Sequence, residues 1–461
     1  MILNIHHRDK PVKRTIRLPG DKSIAQRAII LASIAEGKSI LQNVPLSDDC
    51  LSVIRCIRQL GVEVKMRLPR GAKAPLAMTN TFTIIGRGLN GLRKPSKPLN
   101  VGESGTAARL LTGLLAGQAF PSVITGKKTL FTRPMKRVIE PLCLMGAKIK
   151  SKSGRLPLRI YPATLEGIKY TMPVASAQVK SAILLAGLYA DGETVVREKI
   201  PTRDHTERLL STFTTKALRA QRRGITLCLC GVSLKPVNIE IPGDFSSAAY
   251  FIAAGLLIPG SDITIKDVGL NPYRIGLLTI LKRMGAHIKI RYNNGHSERS
   301  EESKRDSSVV SLPQNDMSEQ WSEPVGYIRA RFSSLKGITV SGKMIPSIID
   351  EIPVLALIAT QAKGTTVIKG AGELRVKETD RIKAIVTELA KLGANINETS
   401  NGMIIKGPTK LYGTKCLAHN DHRMAMMLSI AGLISEGRTK ISGFEVINKS
   451  FPSFADYDIL R

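Results

Sequence analysis

Residues 23–40 read SIAQRAIILASIAEGKSI: a polar start, a run of small and apolar residues, a glycine, then β-branched residues. Such a run reads as a buried helix, with glycine as its stop and a strand beyond. The pattern returns as SGTAARLLTGLLAGQAF (104–120), SAQVKSAILLAGLYADGETVV (176–196), DFSSAAYFIAAGLLIPGSDITI (244–265), IDEIPVLALIATQAKGTTVI (349–368) and NDHRMAMMLSIAGLISEGRTKI (420–441). The stop glycines are Gly37, Gly117, Gly192, Gly260, Gly364 and Gly437, at intervals of 80, 75, 68, 104 and 73 residues. A second element recurs between them, an amphipathic helix closing on Gly and a small residue before a strand. Examples are LSVIRCIRQLGVEVK (51–65), RVIEPLCLMGAKIK (137–150), IGLLTILKRMGAHIKI (275–290) and RIKAIVTELAKLGANIN (381–397). Six ordered copies predict an α/β chain built of repeated units.

At 461 residues the chain is too long for one core, so two domains are expected. The long interval holds residues 293–323, a Ser-rich polar stretch that reads as a disordered surface loop. The formal net charge is +31, which points to an anionic partner: nucleic acid, a membrane surface or phosphorylated substrates. Aromatics make up only 4% with a single Trp, so the stacking platforms of single-strand nucleic-acid binders are lacking. The six Cys form no C-x-x-C pair and lie beside no His with zinc spacing, so free thiols and no metal are expected. No apolar run reaches 18 residues, and the opening MILNIHHRDKPVKR has no apolar signal core. The motifs begin by Pro19, which leaves no room for a long transit peptide, and a cytoplasmic location is expected.

The helix starts carry the chemistry. They hold Asp21, Lys22 and Ser23 with Arg27; Ser104, Gly105 and Thr106 with Arg109; Ser176 with Gln178 and Lys180; and Asn420, Asp421, His422 and Arg423. Ser and Asp are ordinary N-caps. A cation there opposes the helix dipole, and repeating that cost suggests an anionic ligand that offsets it. Arg133-Pro134-Met135-Lys136-Arg137 reads as the opening of one more helix, and Arg375 to Arg381 as that of another, with Lys377 and Arg381 four apart on one face. Glu378, beside Lys377, is either a salt-bridge partner or a general acid.

The stretches LPGDKSIAQRAIILASIAEG, ESGTAARLLTGLLAG, TRPMKRVIEPL, SAQVKSAILLAG, TRDHTE, LRVKETDRI, NDHRMAM and KSFP run in order from residue 18 to 452. In these the chain resembles the 5-enolpyruvylshikimate-3-phosphate (EPSP) synthases. The resemblance implies two similar lobes, each of three βαβαββ units with buried helices, an inside-out α/β barrel. Residues 1–20 plus 244–461 would form one lobe and 21–243 the other, with the site in the cleft between. It implies transfer of the enolpyruvyl group of phosphoenolpyruvate to the 5-hydroxyl of shikimate 3-phosphate by addition and elimination, in aromatic amino-acid biosynthesis. No cofactor, metal, nucleic acid or membrane is implied, and a monomer is expected. By motif, Lys22 and Gln178 would touch both substrates. Ser23, Arg27, Ser176, Thr202, Arg203, Asp350 and Lys377 would hold shikimate 3-phosphate. Gly105, Arg133, Arg381, Arg423 and Lys449 would clamp phosphoenolpyruvate. Asp350 would take the hydroxyl proton, and Glu378 would protonate the methylene carbon.

Glu103 stands where the family usually has Asn, and Glu373 where some members have a substrate-binding Asn. Ala177 is a mild change from Ser. Residues 211–238 lack the expected Gly-Ala stop and read as a diverged or damaged segment. Three rivals are set against this reading. A UDP-N-acetylglucosamine enolpyruvyl transferase would carry Cys in the loop TGKKTLFTRPM, which has none. A basic nucleic-acid-binding protein would need a recognition motif, and an inactive family member would follow from Glu103 and the 211–238 stretch.

Overall fold

The computed structural model describes residues 1–68, 80–214, 232–293, 323–342 and 344–460, with the backbone of 220–221 and 225–229. Most of the 293–323 stretch expected to be a disordered loop lies outside these residues, as does much of 211–238. Eleven described helices have eight or more residues: α1 (Lys22–Ser33), α2 (Asp48–Gln59), α3 (Gly105–Ala116), α4 (Lys136–Leu144), α5 (Ala177–Gly187), α6 (His205–Phe213), α7 (Phe245–Leu257), α8 (Gly276–Arg283), α9 (Ile352–Thr360), α10 (Arg381–Lys391) and α11 (His422–Ile434).

The odd-numbered helices are the six buried ones foreseen in the sequence. Every residue of α7 and α9 is buried, and in α11 only Ile434 is partly exposed. Within one lobe α3 and α5 meet backbone to backbone: a Cβ on Gly113 would sit 2.2 Å from the Ala182 carbonyl oxygen. Glycine there permits an approach that no side chain allows.

The amphipathic helices end as their sequences predict. After α2, α4, α8 and α10 a glycine at positive φ donates to the carbonyl three residues back, and the next residue reaches five back. In α2, Gly61 bonds Arg58 at 3.0 Å and Val62 bonds Ile57 at 3.1 Å; in α10, Gly393 bonds Ala390 at 2.9 Å and Ala394 bonds Leu389 at 3.0 Å. This double bond set is the Schellman arrangement. In α6 it is missing, as expected, and the helix runs into extended backbone at Thr214.

The stop glycines of the buried helices need a correction. Only Gly117 caps its helix directly, with φ −91°. Gly37, Gly192, Gly260, Gly364 and Gly437 lie three to five residues beyond the last helical residue, all at positive φ. They turn the chain into the following strand rather than ending the helix.

The described strands form five four-stranded sheets and one three-stranded sheet. Each four-stranded sheet repeats one order: a parallel edge strand, the strand after a buried helix, then an antiparallel hairpin. In one, Leu99–Asn100 runs parallel to Ser122–Thr125, which pairs antiparallel with Arg155–Tyr161 and through it with Lys148–Lys152. The diverged third unit keeps this order through Ile225–Leu229 and Ala220–Gln221. In the sixth unit the N-terminal strand Ile2–His6 pairs with Arg438–Ser442.

Two separate hydrophobic cores result. One gathers Ile24 through Ile241, and the other gathers Ile5, Val12 and Leu18 with Phe245 through Leu460. The chain passes between them twice, and at the crossing Gly20 bridges Gly243, which also bridges Val268. A Cβ on Gly20 would lie 2.0 Å from the Asn43 carbonyl oxygen, so the first crossing runs closer to residue 43 than any side chain permits.

Candidate active site

The helix starts converge between the two cores. Five are capped by their own side chains: Asp21 accepts from Ser23 and Ile24, Ser104 from Ala107, Ser176 from Val179, Asp244 from Ser246, and Asp421 from Arg423. Part of the N–H set expected to greet an anion is therefore already taken. The side chains of the first turns carry the positive charge into the gap.

Arg27 leaves α1 as a buried guanidinium. Its Nε donates to Thr206 Oγ1 at 2.9 Å, its Nη2 to Ser181 Oγ at 2.9 Å and its Nη1 to the Ser23 carbonyl at 2.8 Å. Arg109 donates to Gln178 Oε1 at 2.7 Å and to the carbonyls of Gly105 and Pro134. Among the described residues neither arginine has a carboxylate within ion-pair range. Burial, with Arg203 nearby, pushes Arg27 down to about 10. Burial, with Arg133 and Arg137 nearby, pushes Arg109 down to about 9. Lys22 lies 3.0 Å from Asp49. Burial works against its charge, and Asp49 outweighs it, so its pKa is raised.

The facing wall is rich in carboxylates. Arg381 is fully buried, with Nε donating to Asp421 at 2.6 Å, Nη2 to Glu378 at 2.6 Å, and Nη1 lying 3.5 Å from Asp350. Arg423 lies 3.5 Å from Asp350. Burial would raise both Asp350 and Glu378. Instead, Arg423, Arg203 and Arg274 hold Asp350 well below the usual carboxylate range, and Arg381 and Arg133 do the same for Glu378. Lys377 forms no ion pair among the described residues. Burial takes it down to about 8 even though Asp350 pulls it up.

Among the described residues four arginine or lysine ion pairs cross from one core to the other: Arg203 with Asp350, Arg133 with Glu378 at 3.4 Å, Arg137 with Glu373 at 2.7 Å, and Lys449 with Glu103 at 2.8 Å; His205 also meets Glu323 across the gap, at 2.6 Å. An unbroken series thus runs Arg133, Glu378, Arg381, Asp350, then Arg203 and Arg423. Gly105 completes the cation wall by its lack of a side chain, since a Cβ there would sit 2.8 Å from both Arg109 Nη1 and Arg133 Nη1.

Not every candidate joins this series. The Ser176 hydroxyl is occupied as a cap, and that of Thr202 donates to Glu198. Gln178 is held by Arg109 and Thr106. Ser23 is partly exposed beside Arg27, to which it offers its carbonyl. The expected shared helix face of Lys377 and Arg381 is corrected: α10 begins at Arg381, because the Asp380 side chain accepts from Lys383 N–H and fixes the start there. Lys377 sits outside the helix, just after the short 3₁₀ turn Gly372–Val376. Arg133 likewise precedes α4.

Sequence reasoning also missed residues. Asp49 and Asp421 are the partners of Lys22 and Arg381. His422 is buried and, among the described residues, has no hydrogen-bond partner on either ring nitrogen; burial together with Lys22 and Arg423 drives it well below its ordinary pKa. Its only signal was its place inside NDHRMAM. Successive left-handed φ values at His419 (51°) and Asn420 (55°) turn the Asn420 carbonyl and amide oxygens onto Lys449 Nζ, at 2.8 and 3.1 Å. Non-glycine residues rarely adopt this conformation, and it clusters at functional sites.

Among the described residues no cluster of His, Cys, Asp and Glu could hold a metal, and no helix is long and apolar enough to cross a membrane. Residues 7–457 match the family model for EPSP synthase (3-phosphoshikimate 1-carboxyvinyltransferase). The 3-phosphoshikimate 1-carboxyvinyltransferase of Geobacillus kaustophilus is 45% identical over 444 residues, 95% of each chain. That of Bacillus licheniformis is 44% identical over 449 residues, 97% of this chain and 96% of the relative. The structure of EPSP synthase from Acinetobacter baumannii superposes with a TM-score of 0.81 at 36% identity, covering 99% of this chain and 97% of that one. With its repeated units, its two-lobed architecture and a match that spans nearly its whole length, this chain belongs to the EPSP synthase family.

Proposed function

We propose that this chain transfers the enolpyruvyl group of phosphoenolpyruvate to the 5-hydroxyl of shikimate 3-phosphate, releasing phosphate. The observation that carries the reading is the series of alternating arginines and carboxylates from Arg133 to Arg423, placed between two cores. Its cations suit two small multiply charged anions, and arginine binds carboxylate and phosphate through paired hydrogen bonds. The names of the relatives favour this acceptor over a UDP-sugar or a nucleic acid. The two cores would be the lobes, 1–20 with 244–461 and 21–243, closing on substrate as hinged enzymes do. The same reading makes the protein a cytoplasmic monomer.

In this scheme Lys22, Ser23, Arg27, Ser176, Gln178, Thr202, Arg203, Asp350 and Lys377 hold the acceptor. Lys22, Gly105, Arg133, Gln178, Arg381, Arg423 and Lys449 hold the donor. Asp350 takes the acceptor's hydroxyl proton as the oxygen attacks C2, while Glu378 delivers a proton to C3. In the second step Glu378 takes a proton back from C3, the C2–C3 double bond re-forms, and the bond from C2 to the phosphate oxygen breaks, phosphate leaving with its electron pair. The surrounding arginines keep both carboxylates strongly anionic. Substrate phosphates and carboxylates that engage those arginines raise both pKa values, so proton transfer is switched on by the bound pair.

Phosphate release from phosphoenolpyruvate plus shikimate 3-phosphate tests the reading, with Lys22→Ala as the control. Turnover by the parent and near-total loss in the variant are expected. Equal activity in both would place the site elsewhere.

A further inference from the structure

Lys449 has three N–H donors, and all three are engaged. Two go to the carbonyl and amide oxygens of Asn420 within its own lobe, and the third goes to Glu103 Oε2 at 2.8 Å, across the gap. Glu103 is held from its other side, since Thr129 Oγ1 donates to its Oε1 at 2.6 Å. It precedes Ser104, the cap of α3, and so stands at the same helix start as Gly105 and Arg109. Both Glu103 and Lys449 are largely shielded, with side-chain exposures of 17% and 11%. Burial would raise Glu103, but the hydrogen bonds from Lys449 and Thr129 keep it below its ordinary pKa and therefore anionic at neutral pH.

A donor phosphate or carboxylate that uses Lys449 meets an occupied ammonium with a fixed carboxylate beside it. The Asn420 oxygens are neutral and belong to the same lobe. Glu103 is the one anionic partner of Lys449 among the described residues, and it comes from the opposite lobe. We propose that Glu103 is a built-in competitor of the donor's anionic groups: it holds Lys449 until phosphoenolpyruvate displaces it, and returns to Lys449 as phosphate leaves. Affinity for donor and for released phosphate is thereby kept low, and the acceptor side is untouched. This rests on the assignment of Lys449 to the donor subsite.

The test measures inorganic phosphate binding by calorimetry and the KM of each substrate, for the parent, Glu103→Gln, Lys449→Met and the double variant. Glu103→Gln is expected to tighten phosphate about tenfold, equal to about 1.4 kcal/mol. It should lower the KM for phosphoenolpyruvate comparably and change that for shikimate 3-phosphate by less than about twofold. With Lys449→Met already present, the gain from Glu103→Gln should fall below about threefold, because the contested ammonium is gone. Glu103→Asn, shorter and also neutral, repeats the test with different packing and must tighten phosphate too. Unchanged or weaker phosphate binding in both neutral variants overturns the proposal. So does a gain that persists in full without Lys449. The calorimetry does not depend on turnover: an inactive parent would defeat the proposed reaction and leave the role of Glu103 to be read from phosphate alone.

Discussion

The two walls of the cleft carry similar numbers of arginines and treat them in opposite ways. On the wall built by α1, α3 and α5, Arg27 and Arg109 are held by hydroxyls, an amide and carbonyls, and burial weakens their hold on the proton. On the wall built by α10 and α11, Arg381 and Arg423 face Asp350, Glu378 and Asp421, and their pKa values rise although burial opposes it. A buried cation without a counter-charge is costly, and a bound anion relieves that cost. The first wall thus offers cations that an anion could pair, as the proposed function requires. The second pairs its cations internally and holds Asp350 and Glu378, the carboxylates to which the proposed function gives the proton transfers.

The largest effect that could break this contrast is on catalysis. Asp350→Asn is expected to lower kcat about 10³-fold, within the range for losing a general base, and to weaken acceptor binding far less than that. A kcat within a few-fold of the parent would reduce the acidic wall to scaffolding. Next comes stability. Arg381→Met leaves Asp421 buried without its cation and Glu378 with Arg133 alone, and should cost about 3 kcal/mol in chemical unfolding. Arg27→Met strands no charge and should cost about 1 kcal/mol or less while weakening shikimate 3-phosphate about 100-fold. Equal losses in the two variants would erase the distinction between the walls.

Lys377 sharpens it through pH. Its folded pKa of about 8 lies below that of a free lysine, so the ammonium burdens the fold at pH 7. That burden lifts as pH climbs from 8 towards the ordinary lysine value, because the unfolded chain then binds more protons. Lys377→Met should therefore raise the melting temperature at pH 7 and not at pH 10. Acceptor affinity in the parent should fall about tenfold between pH 7 and pH 9, a loss absent from the variant. The smallest effect expected is at Gly105. Gly105→Ala pushes the ends of Arg109 and Arg133 aside and should raise the KM for phosphoenolpyruvate about fivefold, close to 1 kcal/mol.

What was legible in the sequence was local. Burial around a full helical period, Asp and Ser before a helix, and glycine before a small residue act within a few residues, so the six buried helices and four Schellman ends could be read directly. The clustering of Lys22, Arg27, Arg109 and Arg423 at helix starts was also visible. Their partners were not. Asp49 for Lys22 and Asp421 for Arg381 are ordinary helix-start acids until the fold turns them inward. The pair of Arg137 and Glu373 joins residues 236 positions apart, with no trace in either neighbourhood. Lys377 misled because spacing of four implies a shared face only where a helix exists, and the Asp380 cap begins the helix too late. The unusual composition of 211–238 suggested a diverged or damaged segment; among its described residues the strands keep the order of the other units.

The pairing of Ile2–His6 with Arg438–Ser442 bears on how the molecule is made. The strand Ile2–His6 meets its neighbour only after every residue between it and Arg438 has been synthesised. The intervening lobe, closed by Gly20 against Gly243, already has all of its strands by then. Vectorial synthesis thus lets the 21–243 lobe fold first, while Ile2–His6 stays an unpaired edge, open to proteases and neighbouring chains, until Arg438–Ser442 arrives.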